Sequence, residues 1–238
     1  MKLLAFETAT EACSVALYLD GAVVERYEVA PRLHAEYALP WAEALLAEAG
    51  IARSQLDAIA LSRGPGAFTG VRLAVALAQG IALALDRPVV AVSTLLAIAA
   101  RSPTSSASGS IEHILAAIDA RMGEVYVGAF ARDASGLHAI SGEAVMAPDA
   151  VALPEGEHRW HGVGTGFSAG EGALRQRLAP RLASVDATVL PHAADVARLA
   201  VAAYARGESL APERVEPAYL RNNVALTLEE QKALRASR

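Results

Sequence analysis

Apolar and polar positions are ordered from the start of the chain. Lys2 to Phe6 is an apolar run that predicts a buried strand, and the polar group Glu7-Thr8-Ala9-Thr10 turns it. From Cys13 to Leu19 the period is two, with Cys13, Val15, Leu17 and Leu19 on one face. Asp20-Gly21 is a favoured two-residue hairpin turn, and Ala22 to Val29 returns. His34 to Ala49 then takes a helical period, with Pro40 inside it and Gly50 at its C-terminal end. Its apolar residues fall on two sides. Leu39, Ala42, Leu46 and Ala49 make one row, and Tyr37, Trp41, Ala44 and Leu45 lie nearly opposite, with Glu48 among them. One row belongs on the domain's own sheet, and the other asks for a second partner.

A short apolar strand, Ala58 to Leu61, runs into Arg63-Gly64-Pro65-Gly66-Ala67-Phe68-Thr69-Gly70-Val71-Arg72. The glycines free the backbone to turn sharply, and Thr69 is placed to cap the following helix. Two readings stay open for this loop: a tight turn, or an anion site at a helix N-terminus. In the helix that follows, Leu73, Leu77, Ile81 and Leu85 form one row, Ala74, Ala78 and Ala82 a second, and Ala76, Gly80 and Ala84 a third. Only Arg72 and Gln79 are polar, whereas a surface helix should carry a broad polar face. Either this helix lies deep in its own domain, or another chain covers its outer side, with the small residues allowing close approach.

Pro88 to Val92 predicts a strand and Thr94 to Ala100 a short helix. Arg101 to Ser110 is rich in Ser, Pro and Gly and reads as a linker, dividing the chain into lobes 1–103 and 104–238. The second half restarts in the same style. Ile114 to Ile118 is an apolar strand ending at Asp119, Ala120 to Gly123 a turn, and Glu124 to Phe130 an alternating strand; after a turn at Asp133 to Gly136, Leu137 to Val145 returns. Glu7 and Asp119 hold equivalent places, each an acid ending a first strand, so the halves are related by pattern rather than identity. Arg159 to Val163 predicts a strand, Gly162 to Gly166 a glycine turn, Ser168 to Leu178 and His192 to Tyr204 helices, and Thr227-Leu228-Glu229-Glu230 has capping-box spacing for a charged helix to Arg238. Strand hairpins followed by alternating helices and strands, twice over, match an α/β actin-like ATPase (ASKHA) fold: two lobes, each a mixed sheet flanked by helices. In that architecture nucleotide sits between the lobes, and both acids are expected to point into the cleft.

Composition narrows the function. The chain has 238 residues, 53% of them hydrophobic, enough for one large domain or two small ones with a substantial core. A formal net charge of −5 argues against a general nucleic-acid binder, though not against a local basic patch. Cys13 is the only cysteine, which leaves no intramolecular disulfide and no cysteine zinc cluster. Glu7 and Glu11 break the apolar N-terminus, which is therefore no signal peptide. The longest apolar run, Leu73 to Leu85, is interrupted by Gln79 and is too short for a bilayer. A cytoplasmic protein with no membrane contact is expected. The histidines at 34, 113, 138, 158, 161 and 192 are scattered, and His158 with His161 forms the closest pair. No metal site, paired-histidine metalloprotease motif or Gly-x-Ser-x-Gly elbow follows from them or from Ser108-Gly109-Ser110.

Several blocks carry a family. They are Leu4-Ala5-Phe6-Glu7-Thr8-Ala9-Thr10 with Cys13-Ser14-Val15-Ala16-Leu17; His34 with Leu39-Pro40; Gly64 to Arg72; Asp119-Ala120-Arg121-Met122-Gly123-Glu124-Val125-Tyr126; and Pro217 with Tyr219-Leu220-Arg221. In these the chain resembles the TsaB (YeaZ) family, a subunit of the bacterial machinery that makes threonylcarbamoyl-adenosine in tRNA. Glu7 departs from the family pattern, which usually has aspartate. The resemblance implies a non-catalytic scaffold that activates TsaD, its catalytic paralogue, for threonylcarbamoyl transfer to the adenosine next to the anticodon. TsaE, a small ATPase, joins the pair. The same helical surface is expected to form a homodimer, with tRNA reached indirectly through the complex. No catalytic residue, metal or cofactor is expected on this chain, ATP and metal belonging to the partner subunits. The family would place the partner surface on the two doubly apolar helices, at Tyr37, Trp41, Leu45, Arg72, Val75, Ala78, Gln79 and Ala82. Thr8, Thr10, Gly64, Gly66, Thr69 and Asp119 are the candidate nucleotide or anion contacts. The competing expectations are an actin-like ATPase or kinase using Glu7, Asp119 and the glycine loops, and a direct tRNA-binding module.

Overall fold

The computed structural model describes residues 1–104 and 111–221; the inner part of the expected linker (105–110) and the expected C-terminal helix (227–238) lie outside the described residues. The first sheet contains β1 (Lys2–Glu7), β2 (Ala12–Leu19), β3 (Ala22–Val29), β4 (Ala58–Ser62) and β5 (Val89–Val92) in the order β3-β2-β1-β4-β5. The opening hairpins are antiparallel, and β4 and β5 join in parallel. Helices α1 (His34–Glu48), α2 (Phe68–Leu85) and α3 (Thr94–Ala100) connect them. The second sheet contains β6 (Glu112–Arg121), β7 (Glu124–Asp133), β8 (Gly136–Ala139), β9 (Ala144–Met146), β10 (Trp160–Val163) and β11 (Leu182–Asp186), ordered β11-β10-β6-β7-β8 with β9 also on β7. Helix α4 (Ala169–Leu178) covers one face of it. This is the expected arrangement of two mixed sheets flanked by helices.

Strand alternation sorts the core. Leu4 and Phe6 of β1 face α1 and α2, together with Cys13, Val15 and Leu17 of β2, while Leu3 and Ala5 face the other side. That other side is covered by α5 (Ala193–Ala205), which crosses back from the second half of the chain. A division at 103/104 therefore separates the sheets but not the helices that cover them. Helix α3 sits at the seam. Its Ala97 packs on the first sheet, and Leu95, Ile98 and Ala99 pack on Ile114, Ala116 and Ile118 of the second.

The helices correct several expectations. Helix α2 starts at Phe68 with Ala67 before it and no side-chain cap, so Thr69 is a helical residue rather than the cap. It runs 18 residues at mean hydropathy 1.7, long and apolar enough by length and composition to cross a membrane, unlike the shorter expected run. Val71, Ala74, Val75, Ala78 and Ala82 instead make one stripe against the protein's own sheet. Ala78 and Ala82 are fully buried, Val75 is 7% and Leu45 of α1 2% exposed, so these four expected partner residues belong to the core. The physical reason is that all three rows are apolar, so the pattern did not mark which of them packs on the protein's own sheet. In α1 the buried row is Ala38, Ala42, Leu45 and Leu46, with Leu39 45% exposed. Gln79 is also occupied within the chain, its side-chain amide donating to the Pro212 and Val215 carbonyls at 3.0 and 3.2 Å. The α4 region opens with left-handed backbone at Gly170, Glu171 and Gly172, so regular helix begins later than expected.

Candidate functional site: the cleft between the lobes

The β1–β2 turn and the start of α2 are built on each other. A Cβ on Gly70 would lie 1.9 Å from the Thr8 carbonyl oxygen, and one on Gly66 2.3 Å from that of Ala9. The Thr8 hydroxyl donates to the Gly70 carbonyl at 2.7 Å, and the Ala67 N–H to the Ala9 carbonyl at 2.7 Å. Of the two readings open for the glycine loop, these distances favour close backbone packing as the use of Gly66 and Gly70. Gly70→Ala is expected to destabilise the protein by about 3 kcal/mol, the upper end for overpacking, because backbone rather than a movable side chain blocks the methyl group. Urea unfolding measures it, and a loss within about 1 kcal/mol, as for a neutral exchange, contradicts it.

The two strand-end acids part company. Glu7 continues the odd-numbered face of β1 and is fully buried. Its Oε1 accepts the Ala9 N–H at 2.6 Å, while Oε2 has no hydrogen-bond partner among the described residues. Burial pushes its carboxyl up to about 7, opposed in part by the Ser62 hydroxyl, the Ala9 N–H and His192. The expectation that Glu7 points into the cleft is thus corrected: strand alternation turns it beneath the turn. Asp119 does reach the cleft. Its Oδ1 accepts the Arg121 N–H and its Oδ2 pairs with the Arg121 guanidinium, both at 2.8 Å, so a local cation already balances it.

The cleft between the lobes has a volume of about 1080 Å³. Thr8, Thr10, Gly66, Thr69 and Asp119 line it together, and Gly64 does not. His34 holds the turn in place, its Nε2 lying 2.9 Å from the Thr10 carbonyl and 3.1 Å from that of Ala12. Residues 217–221 close one side, Arg221 reaching the Ala120 carbonyl at 3.1 Å and the Glu124 carboxylate. Sequence reasoning did not assign Phe68, Met122, Tyr219, Arg32 or Arg221 to the site. The available signal was large apolar residues within turn segments, at Phe68 and Met122.

Other candidate chemistry is accounted for structurally. His158 stacks on His113 with centroids 4.1 Å apart, and the His161 Nδ1 meets the Ser184 hydroxyl at 2.8 Å. Among the described residues no group of three His, Cys, Asp or Glu is placed to hold a metal ion. Cys13 is buried, its thiol pushed up to about 12 by burial and by Glu7 and Glu28, which removes it as a nucleophile. Tyr37 and Trp41 of α1 stack at 4.9 Å and are partly buried against the same core as α2. Outward, α2 leaves Ala76, Gly80, Leu83 and Ala84 exposed, Leu83 at 60%.

Comparison with known proteins gives concordant matches. Residues 25–228 match a family described as TsaD: tRNA N6-adenosine threonylcarbamoyltransferase. The chain is 41% identical over 229 residues to the tRNA threonylcarbamoyladenosine biosynthesis protein TsaB of Escherichia coli, covering 94% of this chain and 96% of that one. The structure of YeaZ from Pseudomonas aeruginosa superposes with a TM-score of 0.83 at 47% identity, covering 92% of this chain and 99% of that one. A second structure from the same organism, described as an uncharacterized protein with similarity to peptidase YeaZ, gives 0.84 at 47% identity, with the same coverage.

Proposed function

This chain belongs to the TsaB (YeaZ) family, and we propose that it serves threonylcarbamoyladenosine synthesis as a non-catalytic subunit that pairs with the transferase TsaD. The observation that carries the pairing is the outer side of α2. Ala76, Gly80, Leu83 and Ala84 form an exposed apolar row on a helix whose opposite side is already packed on its sheet. Small residues in that row permit a helix of a second chain to approach closely. Tyr37 and Trp41 of α1 extend the surface across the same face of the sheet. A homodimer through this row is the resting form of the free subunit in this reading. TsaE joins the pair, tRNA is reached through the complex, and ATP and metal are held by the partner subunits in the cytoplasm. The absence of catalysis is supported by an Asp119 already paired with Arg121 and a Glu7 turned away from the cleft.

Reconstitution tests the reading. The purified chain is combined with TsaD, TsaE and the enzyme that makes the threonylcarbamoyl adenylate, and modified tRNA is counted. Modification is expected to depend on this chain. Ala76→Arg and Leu83→Arg are expected to keep the wild-type melting temperature while weakening co-elution with TsaD on the order of 100-fold, since each buries an unpaired charge in the pair. Full modification without the chain, or rapid ATP turnover by the chain alone, contradicts the proposal.

A further inference from the structure

Three large apolar side chains stay in water at the mouth of the cleft: Phe68 is 65% exposed, Tyr219 56% and Met122 82%. Scattered singly they would be unremarked. Here they share one rim, because residues 217–221 run from α2 to the β6–β7 turn, where the Arg221 guanidinium meets the Met122 Sδ at 3.6 Å. Arg72 ties the rings together. Its guanidinium carbon lies 3.2 Å from the centroid of Phe68 and 4.9 Å from that of Tyr219, and its Nη1 donates to the Phe68 carbonyl at 3.3 Å. The result is a cationic cluster of two aromatic rings and a guanidinium held in place before any ligand arrives.

The charge around it has a small positive excess although the chain carries −5: Arg32, Arg72, Arg121 and Arg221 line the cleft with Glu11 and Asp119, and Glu124 sits on Arg221. Arg121 is paired with Asp119 and Arg221 with Glu124, whereas Arg32 and Arg72 meet no carboxylate among the described residues. Arg32 lines the same cleft and is exposed. The platform adjoins the N-terminal end of the proposed pairing surface. Arg72 lies on the flank of α2 that Gln79 shares and the 212–215 turn covers, about 40° around the helix from Ala76 and about 80° from Gly80, so co-elution is the readout that separates the two roles.

We propose that this rim binds a single-stranded segment of RNA, one unpaired base stacking on the Phe68–Arg72–Tyr219 platform with a flanking phosphate on Arg32. Aromatic faces beside a guanidinium are the chemistry that unpaired bases use, and they leave sequence open. A free mononucleotide fits less well: small ligands are mostly enclosed, and these rings stand open at the mouth. The identity of the RNA as the tRNA being modified rests on the proposed function, which it extends by placing a direct contact on this chain; the chemistry of the platform does not rest on it.

The test measures fluorescence anisotropy of an unmodified tRNA transcript and of a short single-stranded RNA, on the complex of the full chain with TsaD, with AMP as competitor. Phe68→Ala and Tyr219→Ala are each expected to weaken binding of both RNAs on the order of tenfold, leaving co-elution with TsaD intact. Arg32→Ala is expected to lower the salt slope by roughly one phosphate contact. AMP is expected not to compete at micromolar concentration. Binding within about twofold of wild type for both aromatic variants overturns the proposal. So does displacement of RNA by micromolar AMP, or loss of co-elution in Phe68→Ala, which would assign the ring to the pairing surface. If the wild-type chain does not pair with TsaD, the proposed function fails by itself, and the same RNA measured on the chain alone still decides the platform.

Discussion

Ala78→Arg is expected to unfold the protein rather than release a partner. Ala78 is fully buried in the stripe that α2 lays on its own sheet, among Ala74, Val75 and Ala82. An arginine there has no room and no anion. The methylene stem must displace packed side chains, and the guanidinium must either lose its hydration or tear the helix from the sheet. Leaving a charge buried without a partner costs about 3–5 kcal/mol, and overpacking adds about 1–3 kcal/mol. The sum, about 4–8 kcal/mol, matches or exceeds the whole stability of a protein in the lower half of the usual range of about 5–15 kcal/mol. Circular dichroism and urea unfolding measure it, with Ala76→Arg as the control one face away. A folded Ala78→Arg chain that fails only to pair would mean that this row faces outward and that α2 is rotated relative to its sheet.

That experiment also marks where the sequence stops being legible. An apolar run, a period-two stretch and a hairpin turn located β1, β2 and β3 almost to the residue, because strand length and turn chemistry are written locally. Helix α2 was equally easy to locate and hard to orient. Its rows Leu73-Leu77-Ile81, Ala74-Ala78-Ala82 and Ala76-Gly80-Ala84 are all apolar, so periodicity carries no phase. Side-chain size carries no phase either: Ala74-Ala78-Ala82 went inward, while the still smaller Ala76-Gly80-Ala84 row faces out. The return of α5 to the first sheet was invisible for a different reason: its alanine face fits either sheet, and only the three-dimensional path of the chain decides between them.

At the site, residue types were easier to read than their orientation. Thr8, Thr10, Gly66, Thr69 and Asp119 do converge on one cleft. The symmetry drawn between Glu7 and Asp119 is loose in strand position, since β6 runs on to Arg121, and fails for side-chain direction. The glycines also illustrate the difficulty. Gly66 and Gly70 suggest a cradle for an anion when read in sequence, yet carbonyl oxygens of the β1–β2 turn stand where their side chains would be. Distances of that kind arise between segments some sixty residues apart and leave no local trace. The rim platform was missed because Phe68 and Arg72 lie in one stretch and Tyr219 in another, and the two meet only in the folded chain.

Glu7 makes the second large prediction, a stability that falls as pH rises from about 4.5 to about 7. Its carboxyl is held near 7 in the folded protein against an ordinary 4.5. Below the ordinary value both folded and unfolded chains carry the proton, and this group favours neither. Between the two values only the folded chain holds it, so each step upward in pH favours unfolding. Above about 7 both forms have lost the proton, and the full penalty of a buried carboxylate with one unpartnered oxygen remains, about 3 kcal/mol by order of magnitude. Glu143, also raised by burial against the opposing Ser93 hydroxyl and Arg63, adds to the same trend. His113, held below its ordinary range by burial and by His158, acts in the opposite sense, adding stability as pH rises through the ordinary histidine range. The difference between wild type and Glu7→Gln isolates Glu7 from both. Glutamine keeps an acceptor for the Ala9 N–H and carries no charge. The variant is expected to match wild type near pH 4.5 and to be more stable above about pH 7, by up to the same few kcal/mol. Urea unfolding at a series of pH values supplies the comparison. Two parallel curves across the window would mean that Glu7 ionises in the folded protein as it does in water, and that the polar groups around it compensate fully for its burial.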